Sequence, residues 1–215
     1  MPHTLRARAV LFDMDGTLVD STAVVETIWR DFADRFALDR AMILGSVHGV
    51  RAEDSVRRFA PEGTDVGAIV AELNAYELEH MEGTLEIPGA VAFLAALPRT
   101  SVALVTSASP SLAAGRLAAA GVPSPDVVVT ADDVARGKPA PDGYLAAAAL
   151  LAVDPADAVV FEDAEAGILA GLAAGMRVVV VGSHESESTV GLPRVEHYSD
   201  ARVELDGDEL VLVLG

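Results

Sequence analysis

Two aspartates separated by one residue, Asp13 and Asp15, stand directly after a short apolar run at residues 9–12. Such a run is typical of a buried strand, and ligands bind at the carboxyl ends of the strands in open α/β sheets. Residues two apart on a strand point to the same side, so both carboxylates can face one site. Gly16 then permits the sharp turn that brings backbone close to an anion. The segment predicts paired carboxylates beside an anion-binding turn.

Three later segments place polar side chains at the end of an apolar run or before a helix. They are Thr106-Ser107 after the run 102–105, Lys138 before Pro139 and a helix, and Glu162-Asp163 after the run 158–161. Lys138 is the only lysine among the 15 basic residues. A lysine delivers a compact point charge on a flexible stem, whereas arginine presents a broad planar fork. The single ammonium is therefore a candidate for a narrow site between a carboxylate and an anion.

The order and context of these segments resemble the haloacid dehalogenase superfamily of phosphotransferases. The opening signature of that family is Asp-x-Asp-x-Thr, here formed by Asp13, Asp15 and Thr17. Its later motifs are a Ser or Thr after the second strand, a Lys before a helix and an acidic pair after the fourth strand. All of them occur here in that order, and the resemblance spans residues 10–182.

The resemblance implies a role for each core residue. Asp13 resembles the nucleophile, because a carboxylate can attack phosphorus and hold it as an acyl phosphate. Asp15 would protonate the leaving oxygen and later deprotonate the attacking water. Thr106, Ser107 and Lys138 would bind the phosphate and neutralise its oxygens, as phosphoryl transfer requires.

The acidic side chains of these motifs imply a cation. Two carboxylates about 5 Å apart repel by roughly 3 kcal/mol at an effective dielectric constant of about 20. Asp13, Asp15, Glu162 and Asp163 therefore cannot all stay ionised around one lysine without further positive charge. Mg²⁺ suits both an all-oxygen ligand set and a phosphate partner. By resemblance its ligands are the Asp13 side chain, the Asp15 carbonyl and Asp163, with Glu162 acting directly or through water.

The elements that must position these residues follow from the hydrophobic pattern. Short β-branched runs alternate with Ala-rich helical stretches, which is typical of a parallel sheet covered by helices. The predicted strands are residues 9–12, 102–105, 127–129, 158–161 and 178–181. Ser109-Pro110 predicts the start of a helix and Gly121 its end. The tail, 203–214, alternates around Asp206-Gly207 and predicts a hairpin.

The stretch from Ser21 to about residue 87 breaks this rhythm with helical periodicity and no comparable strand. Apolar residues form two stripes, at Val25, Ile28, Trp29, Phe32 and Phe36 and at Ile69, Leu73 and Tyr76. Ser21 is a predicted N-cap. The fold class predicted is α/β, a Rossmann-like parallel sheet core in three layers (α/β/α) with an inserted small helical cap domain. We expect the core at residues 1–19 and 89–215 and the cap at 20–88.

One loop of the predicted cap carries polar residues around Gly49. In family members with a small helical cap, the loop in this region reaches over the active site and reads the substrate. The segment resembles the branch that hydrolyses sugar, hexitol and glycerol phosphates. The resemblance therefore assigns substrate recognition to Arg51, His48 and Asp54.

Composition narrows the class of partner. A formal net charge of −18 disfavours nucleic-acid binding, which relies on a positive field. The absence of cysteine excludes disulfides, a thiolate metal site and a cysteine nucleophile. The longest apolar run is about half of what a bilayer crossing needs, and no secretory signal is recognisable. We expect a cytoplasmic monomer or weak homodimer that binds a small phosphorylated metabolite, with no nucleic-acid or membrane partner.

Several related functions remain open from the motifs. A sugar phosphomutase of the beta-phosphoglucomutase type shares the core motifs and differs in the cap loop and in the fate of the phosphoenzyme. A catalytically silent phosphometabolite-binding protein is a further alternative. A haloacid dehalogenase lacks the second aspartate, so Asp15 argues against it. A phosphonatase needs an amine in the cap, and no lysine lies between residues 20 and 88.

Overall fold

The structure, a computed structural model, describes residues 3–215. Its strands are β1 (His3–Ala7), β2 (Ala9–Phe12), β3 (Val19–Asp20), β4 (Leu85–Glu86), β5 (Val102–Val105), β6 (Val127–Val129), β7 (Ala158–Glu162), β8 (Arg177–Val181), β9 (Arg194–Val195), β10 (Arg202–Asp206) and β11 (Glu209–Leu214). Its α-helices are α1 (Thr22–Arg35), α2 (Arg40–Val47), α3 (Ala52–Phe59), α4 (Val66–Glu79), α5 (Ala90–Ala96), α6 (Pro110–Ala120), α7 (Asp142–Leu150) and α8 (Glu165–Ala173).

The central sheet has six parallel strands in the order β6-β5-β2-β7-β8-β9. Every residue of β2, β5 and β7 is buried, as expected for strands that have both faces covered. The five predicted strands are confirmed, although β7 and β8 are each one residue longer than predicted. Strand β9 was missed, because a two-residue strand leaves almost no hydrophobic pattern.

Successive side chains of the central strands enter two separate hydrophobic cores, because side chains alternate between the faces of a sheet. On one face Ala9 and Leu11 pack with helix residues Tyr144 and Ile168 of α7 and α8. On the other face, Val10 and Phe12 pack against α5, α6 and the β1-β11-β10 sheet. The sheet therefore lies between two layers, which confirms the three-layer Rossmann-like fold.

A second, antiparallel sheet of order β1-β11-β10 covers part of that second core. The predicted tail hairpin is confirmed by β10 and β11, and Gly207 adopts the left-handed conformation (φ +63°) in its turn. Strand β1 was not predicted. Its sequence alternates weakly, and its partner strand β11 lies at the other end of the described chain.

Four helices, α1 to α4, pack around a third hydrophobic core that includes Trp29, Phe32, Ile43 and Val56. The chain enters and leaves these helices through the antiparallel pair β3 and β4. The predicted stripe on α1 contributes to this core. The α4 stripe extends less far than predicted, because Tyr76 is 40% exposed and stacks on His80 instead. The expected boundaries of the cap, at residues 20 and 88, stay a prediction.

The predicted ends of helix α6 are confirmed, whereas the predicted N-cap of helix α1 uses its hydroxyl for another contact. The Ser109 hydroxyl accepts a hydrogen bond from the Leu112 amide at the start of α6, and Gly121 ends that helix at φ +67°. Ser21 does precede α1, but its hydroxyl makes no capping bond. It donates instead to Asp15, 2.6 Å away. Among residues 3–215, no helix has both the length and the apolar character needed to cross a membrane.

Candidate active site

The turn after β2 holds the first aspartate rigidly at the end of the sheet. The Asp13 amide donates to the Phe161 carbonyl of the neighbouring strand (3.0 Å), and the side chain is 6% exposed. Gly16 has φ +78°, and its amide donates to the Val19 carbonyl (2.7 Å). A Cβ on Gly16 would lie 2.0 Å from Asp163 Oδ2. Glycine is therefore required both for the left-handed turn and for the close approach of the acidic loop.

Lys138 reaches into this carboxylate cluster. Its Nζ donates to Asp13 Oδ1, to Glu162 Oε1 (2.6 Å) and to the Val105 carbonyl (3.1 Å). The side chain is 5% exposed. Burial lowers the pKa of Lys138, but the Asp13 and Glu162 carboxylates outweigh it and leave the pKa raised. The ammonium therefore stays charged between two carboxylates.

Glu162, the last residue of β7, is fully enclosed and uses all its hydrogen-bonding capacity. Oε1 accepts from Lys138 and from the Tyr144 hydroxyl (2.8 Å). Oε2 accepts from the amides of Asp163 (3.1 Å) and Ala164 (3.3 Å). A carboxylate has about four acceptor positions, so these four bonds fix the orientation of Glu162.

Three carboxylates converge around one ammonium. Asp13, Glu162 and Asp163 each offer an oxygen within 4.8 Å of the others. Burial, followed by the charge on Glu162, raises the pKa of Asp13 to about 8. Burial, followed by the charge on Asp13, raises the pKa of Asp163 well above its usual range. One lysine cannot balance three negative charges, so the protein groups alone leave an excess of negative charge.

Thr106 and Ser107 lie at the end of β5, beside the same cluster. The Thr106 hydroxyl accepts from the Ala108 amide (3.1 Å) and so shapes the backbone of the loop. The Ser107 hydroxyl donates to the Gly49 carbonyl of the helical region (2.8 Å). Ser107 therefore joins the core to the loop between α2 and α3, a contact that the sequence did not predict.

Asp15 is bonded by groups other than Lys138. Its Oδ1 accepts from Ser21, and its Oδ2 accepts from Arg116 Nη1 (2.5 Å). The guanidinium of Arg116 also donates through Nε to Glu77 of α4. The Arg116 side chain is 9% exposed. Burial lowers the pKa of Arg116, but the charges of Asp15 and Glu77 outweigh it, so the arginine remains positive.

A cavity of about 200 Å³ lies between the central sheet and the helical region. Asp13, Asp15 and Asp163 line one wall, and the helices contribute the opposite wall, including Trp29 and Asn74. At this site a carboxylate at the end of a strand thus faces a partly open space with polar and apolar walls. Such a cavity is the default place for a small-molecule ligand.

The predicted recognition residues of the cap take different positions. His48 and Arg51 line the cavity, whereas Asp54 does not. Arg51 is paired with Asp54 through Nε (2.7 Å) and Nη2 (3.1 Å). Its Nη1 also lies 3.4 Å and 3.5 Å from the carbonyls of Val134 and Ala135 in the core. The Arg51 guanidinium is thus occupied by protein groups on both sides.

Sequence reasoning missed three residues that hold the site together, Arg116, Glu77 and Tyr144. Arg116 lies four residues after Leu112 on the buried face of α6, between apolar residues. A charged residue on an apolar stripe was the available signal, since such groups are buried only when paired. Tyr144 gave no comparable signal, because it lies in the first turn of an Ala-rich helix whose pattern is typical of ordinary core.

Comparisons of the sequence with known proteins identify its family. A family model described as haloacid dehalogenase-like hydrolase matches residues 7–175. Hexitol phosphatase A of Escherichia coli (strain K12) is 43% identical over 183 residues, which cover 83% of this chain and 85% of that protein. Glycerol-1-phosphate phosphohydrolase 2 of Saccharomyces cerevisiae is 35% identical over 196 residues, covering 85% and 77%.

A solved structure extends the agreement to the fold. Beta-phosphoglucomutase from Clostridium difficile superimposes with a TM-score of 0.78 at 23% identity, covering 90% of this chain and 92% of that one. The chain belongs to the haloacid dehalogenase-like hydrolases. The predicted resemblance to this family is thereby confirmed, and the roles of its site residues stay predictions.

Proposed function

We propose that the protein is a magnesium-dependent phosphatase that hydrolyses a small sugar, hexitol or polyol phosphate through an aspartyl-phosphate on Asp13. One observation carries the proposal. The buried Asp13 carboxylate stands at the end of the central strand β2, is held by Lys138 and opens onto the cavity under the helices. The matched relatives are named for hydrolysis of hexitol and glycerol phosphates, which favours a substrate of that class.

The proposed reaction has two steps that use the same carboxylates. Asp13 Oδ attacks phosphorus, the bond from phosphorus to the ester oxygen breaks, and the leaving alkoxide takes a proton from Asp15. In the second step Asp15 accepts a proton from water, which attacks phosphorus and releases inorganic phosphate and free Asp13. Lys138 balances the charge of the transferring group, and the amides and hydroxyls of Thr106 and Ser107 bind its oxygens.

The chemistry of the donor set fits a divalent cation with oxygen ligands. Asp13 and Asp163 would hold it together with the Asp15 carbonyl, and Glu162 would support the site while it orients Lys138. When bound, Mg²⁺ supplies the positive charge that the carboxylates and the phosphoryl oxygens need. The protein residues contribute the fixed geometry, because Gly16 and the buried Glu162 leave Asp163 little room to move.

Phosphate release is the direct test of this proposal. We would measure Mg²⁺-dependent release of inorganic phosphate from p-nitrophenyl phosphate and from a panel of about a hundred phosphorylated metabolites. Asp13→Asn should fold normally and lose activity, since an amide is a poor nucleophile. Asp15→Asn should also lose activity, whereas Asp208→Asn, at an exposed turn, should not. Beryllium fluoride with Mg²⁺ should inhibit the wild type by mimicking the aspartyl-phosphate. Near wild-type turnover in Asp13→Asn would contradict the mechanism.

The same panel separates the phosphatase from the mutase and from a silent binding protein. Hexose bisphosphates are included because a sugar phosphomutase would convert hexose phosphates with little net release of phosphate. Binding without turnover of any compound would indicate a silent protein. We also propose a cytoplasmic location, since the 215-residue sequence holds no cysteine for a disulfide framework.

A further inference from the structure

Three charged residues link the helical region to the second aspartate of the site, and two of them, Glu77 and Arg116, are buried. Glu77 is the third residue from the end of helix α4. It is buried, and its side chain is 6% exposed. It accepts a hydrogen bond from Arg116 Nε, and Arg116 Nη1 donates to Asp15 Oδ2 at 2.5 Å. Glu77, Arg116 and Asp15 therefore form one continuous chain of ion pairs.

The stability of the fold does not require a charged residue at position 116. Arg116 lies on the face of α6 that buries Leu112, Ala113 and Leu117, where an apolar residue would pack without loss of hydration. Burial of a charge is costly unless the charge is paired, and replacing a buried ion pair by apolar residues is often neutral or stabilising. A function at the site is therefore a reason for an arginine at this position.

The hydrogen bonds to Asp15 fix its direction. Ser21 holds Oδ1 at 2.6 Å, and Arg116 holds Oδ2. The planar guanidinium can bond two carboxylates at once in a set geometry. Glu77 comes from α4 of the helical region, and Arg116 comes from α6 of the core. The orientation of Arg116, and through it that of Asp15, therefore depends on the helices lying against the core.

We propose that Arg116 is a positioning residue that aims Asp15, and that Glu77 makes this alignment depend on the seating of the helical cap. This inference rests on the proposed phosphatase function. When the cap lifts, Glu77 leaves Arg116, and Arg116 loses the contact that fixes its orientation toward Asp15. Proton transfer is then restricted to the closed state, in which the cavity excludes bulk water from the phosphoenzyme.

The test compares one substitution in two backgrounds. Arg116→Met is made in the wild type and in Asp15→Asn, and kcat is measured with glycerol 1-phosphate or the best alkyl phosphate of the panel. If Arg116 acts through Asp15, its loss lowers kcat by about 10–100-fold in the wild type and by less than about twofold in Asp15→Asn, because the effects of residues that act as a unit are not additive. Equal losses in both backgrounds would overturn the proposal and indicate that Arg116 contacts substrate directly.

The leaving group gives a readout that a merely structural role would not change. A p-nitrophenolate leaving group needs little protonation, but hydrolysis of the aspartyl-phosphate still needs Asp15 as a base. Arg116→Met should therefore release about one equivalent of p-nitrophenolate in a rapid burst, followed by slow turnover. A variant with only a smaller folded fraction would show the wild-type time course at reduced amplitude, which would count against the proposal.

Glu77→Gln tests the link to the cap with little change of shape. We expect a smaller loss, about 3–10-fold in kcat, with the same burst and the same non-additivity with Asp15→Asn. Glu79→Gln is the matched control, since Glu79 is an exposed residue two positions later on α4. An unchanged kcat in Glu77→Gln would show that the alignment of Asp15 does not depend on the cap.

Arg116→Lys keeps the proposal testable if Arg116→Met does not fold. The lysine retains the charge and can bond one carboxylate, so it should fold and keep more of kcat than Arg116→Met, with the burst still visible. Wild-type kinetics in Arg116→Lys, with no burst, would refute the positioning role. Failure of the wild type to release phosphate from any substrate would instead refute the proposed function itself. The two failures are therefore distinguishable.

Discussion

The Lys138 ammonium and the Glu162 carboxylate form an ion pair, 2.6 Å long, in which the two side chains are 5% and 0% exposed. The pair requires a glycine at position 167 of helix α8, because a Cβ there would lie 1.6 Å from Glu162 Oε1. Gly167, near the start of that helix, leaves the space that the Glu162 carboxylate occupies. The pair in turn points the ammonium at Asp13. The position of the single lysine is thus set by a carboxylate that the substrate need not touch.

Replacement of Lys138 should damage activity even when the charge is kept. We expect Lys138→Arg to lower both kcat and kcat/KM by at least about 10²-fold, because the wide guanidinium does not fit between Asp13 and Glu162. Lys138→Met should lose at least as much. The nearby Arg136→Ala is the control, since that side chain is 72% exposed. Retention of most activity in both Lys138 variants would show that the ammonium is dispensable.

Tyr144→Phe tests the other partner of Glu162. The change removes the hydroxyl that donates to Oε1 at 2.8 Å and leaves a buried carboxylate oxygen with one donor fewer. We expect the free energy of unfolding to fall by about 1–3 kcal/mol and kcat to fall by less than it does for Lys138→Arg. Urea unfolding and steady-state kinetics measure the two effects. Tyr76→Phe, at an exposed stacked position, should change neither.

The sequence predicted the core well and the contacts between core and cap poorly, for a physical reason. Asp13, Lys138 and Glu162 lie next to strands whose continuous apolar runs are strong local signals. The two partners of Asp15 are Ser21 and Arg116, on different elements, and no periodicity relates Arg116 to its second partner Glu77. The hydroxyl of Ser21 was predicted as a helix cap, because the competing carboxylate is adjacent only in the folded chain. Pairings of this kind depend on tertiary structure, which a single sequence does not encode locally.

The free energy of unfolding of the metal-free protein should decrease as pH rises, and bound Mg²⁺ should oppose this decrease. The folded-state pKa of Asp13 is raised to about 8 from an ordinary value of 3.8, so between about pH 4 and pH 8 the folded protein holds a proton that the unfolded chain has lost. Stability without metal should therefore fall as pH rises through this window, by up to about 1.4 kcal/mol per pH unit for one proton. The raised pKa of Asp163 acts in the same direction.

Urea unfolding at pH 6, 7 and 8, with EDTA or with Mg²⁺, measures this dependence. Stabilisation by Mg²⁺ should increase with pH, because the cation replaces the proton and binds the ionised carboxylates. Asp13→Asn should flatten the metal-free profile, since the amide does not titrate. If the free energy of unfolding were the same in EDTA and in Mg²⁺ at all three pH values, the proposed metal site would be contradicted.

The expected role of Arg51 in substrate recognition stays a prediction, and its contacts with the core favour a second role. The family resemblance assigns it to substrate recognition, which predicts that Arg51→Ala lowers kcat/KM for a sugar phosphate and spares acetyl phosphate. In the structure its guanidinium is bonded to Asp54 and lies against Gly137, where a Cβ would be 2.6 Å from Arg51 Nε. Gly137 directly precedes Lys138. Arg51 thus contacts the loop that carries the lysine, and we propose that it helps to seat the helical region on that loop.

Arg51→Ala should therefore lower kcat/KM by about 10-fold, roughly 1.4 kcal/mol, for acetyl phosphate as well as for the best sugar phosphate. Gly137→Ala should cause a similar loss on both substrates, because the added methyl displaces the same side chain. Arg57→Ala is the matched control, since that arginine is 65% exposed and pairs only with Glu53 on its own helix. A loss confined to the sugar phosphate would restore the recognition role, because contacts remote from phosphorus help only a substrate that offers groups to bind.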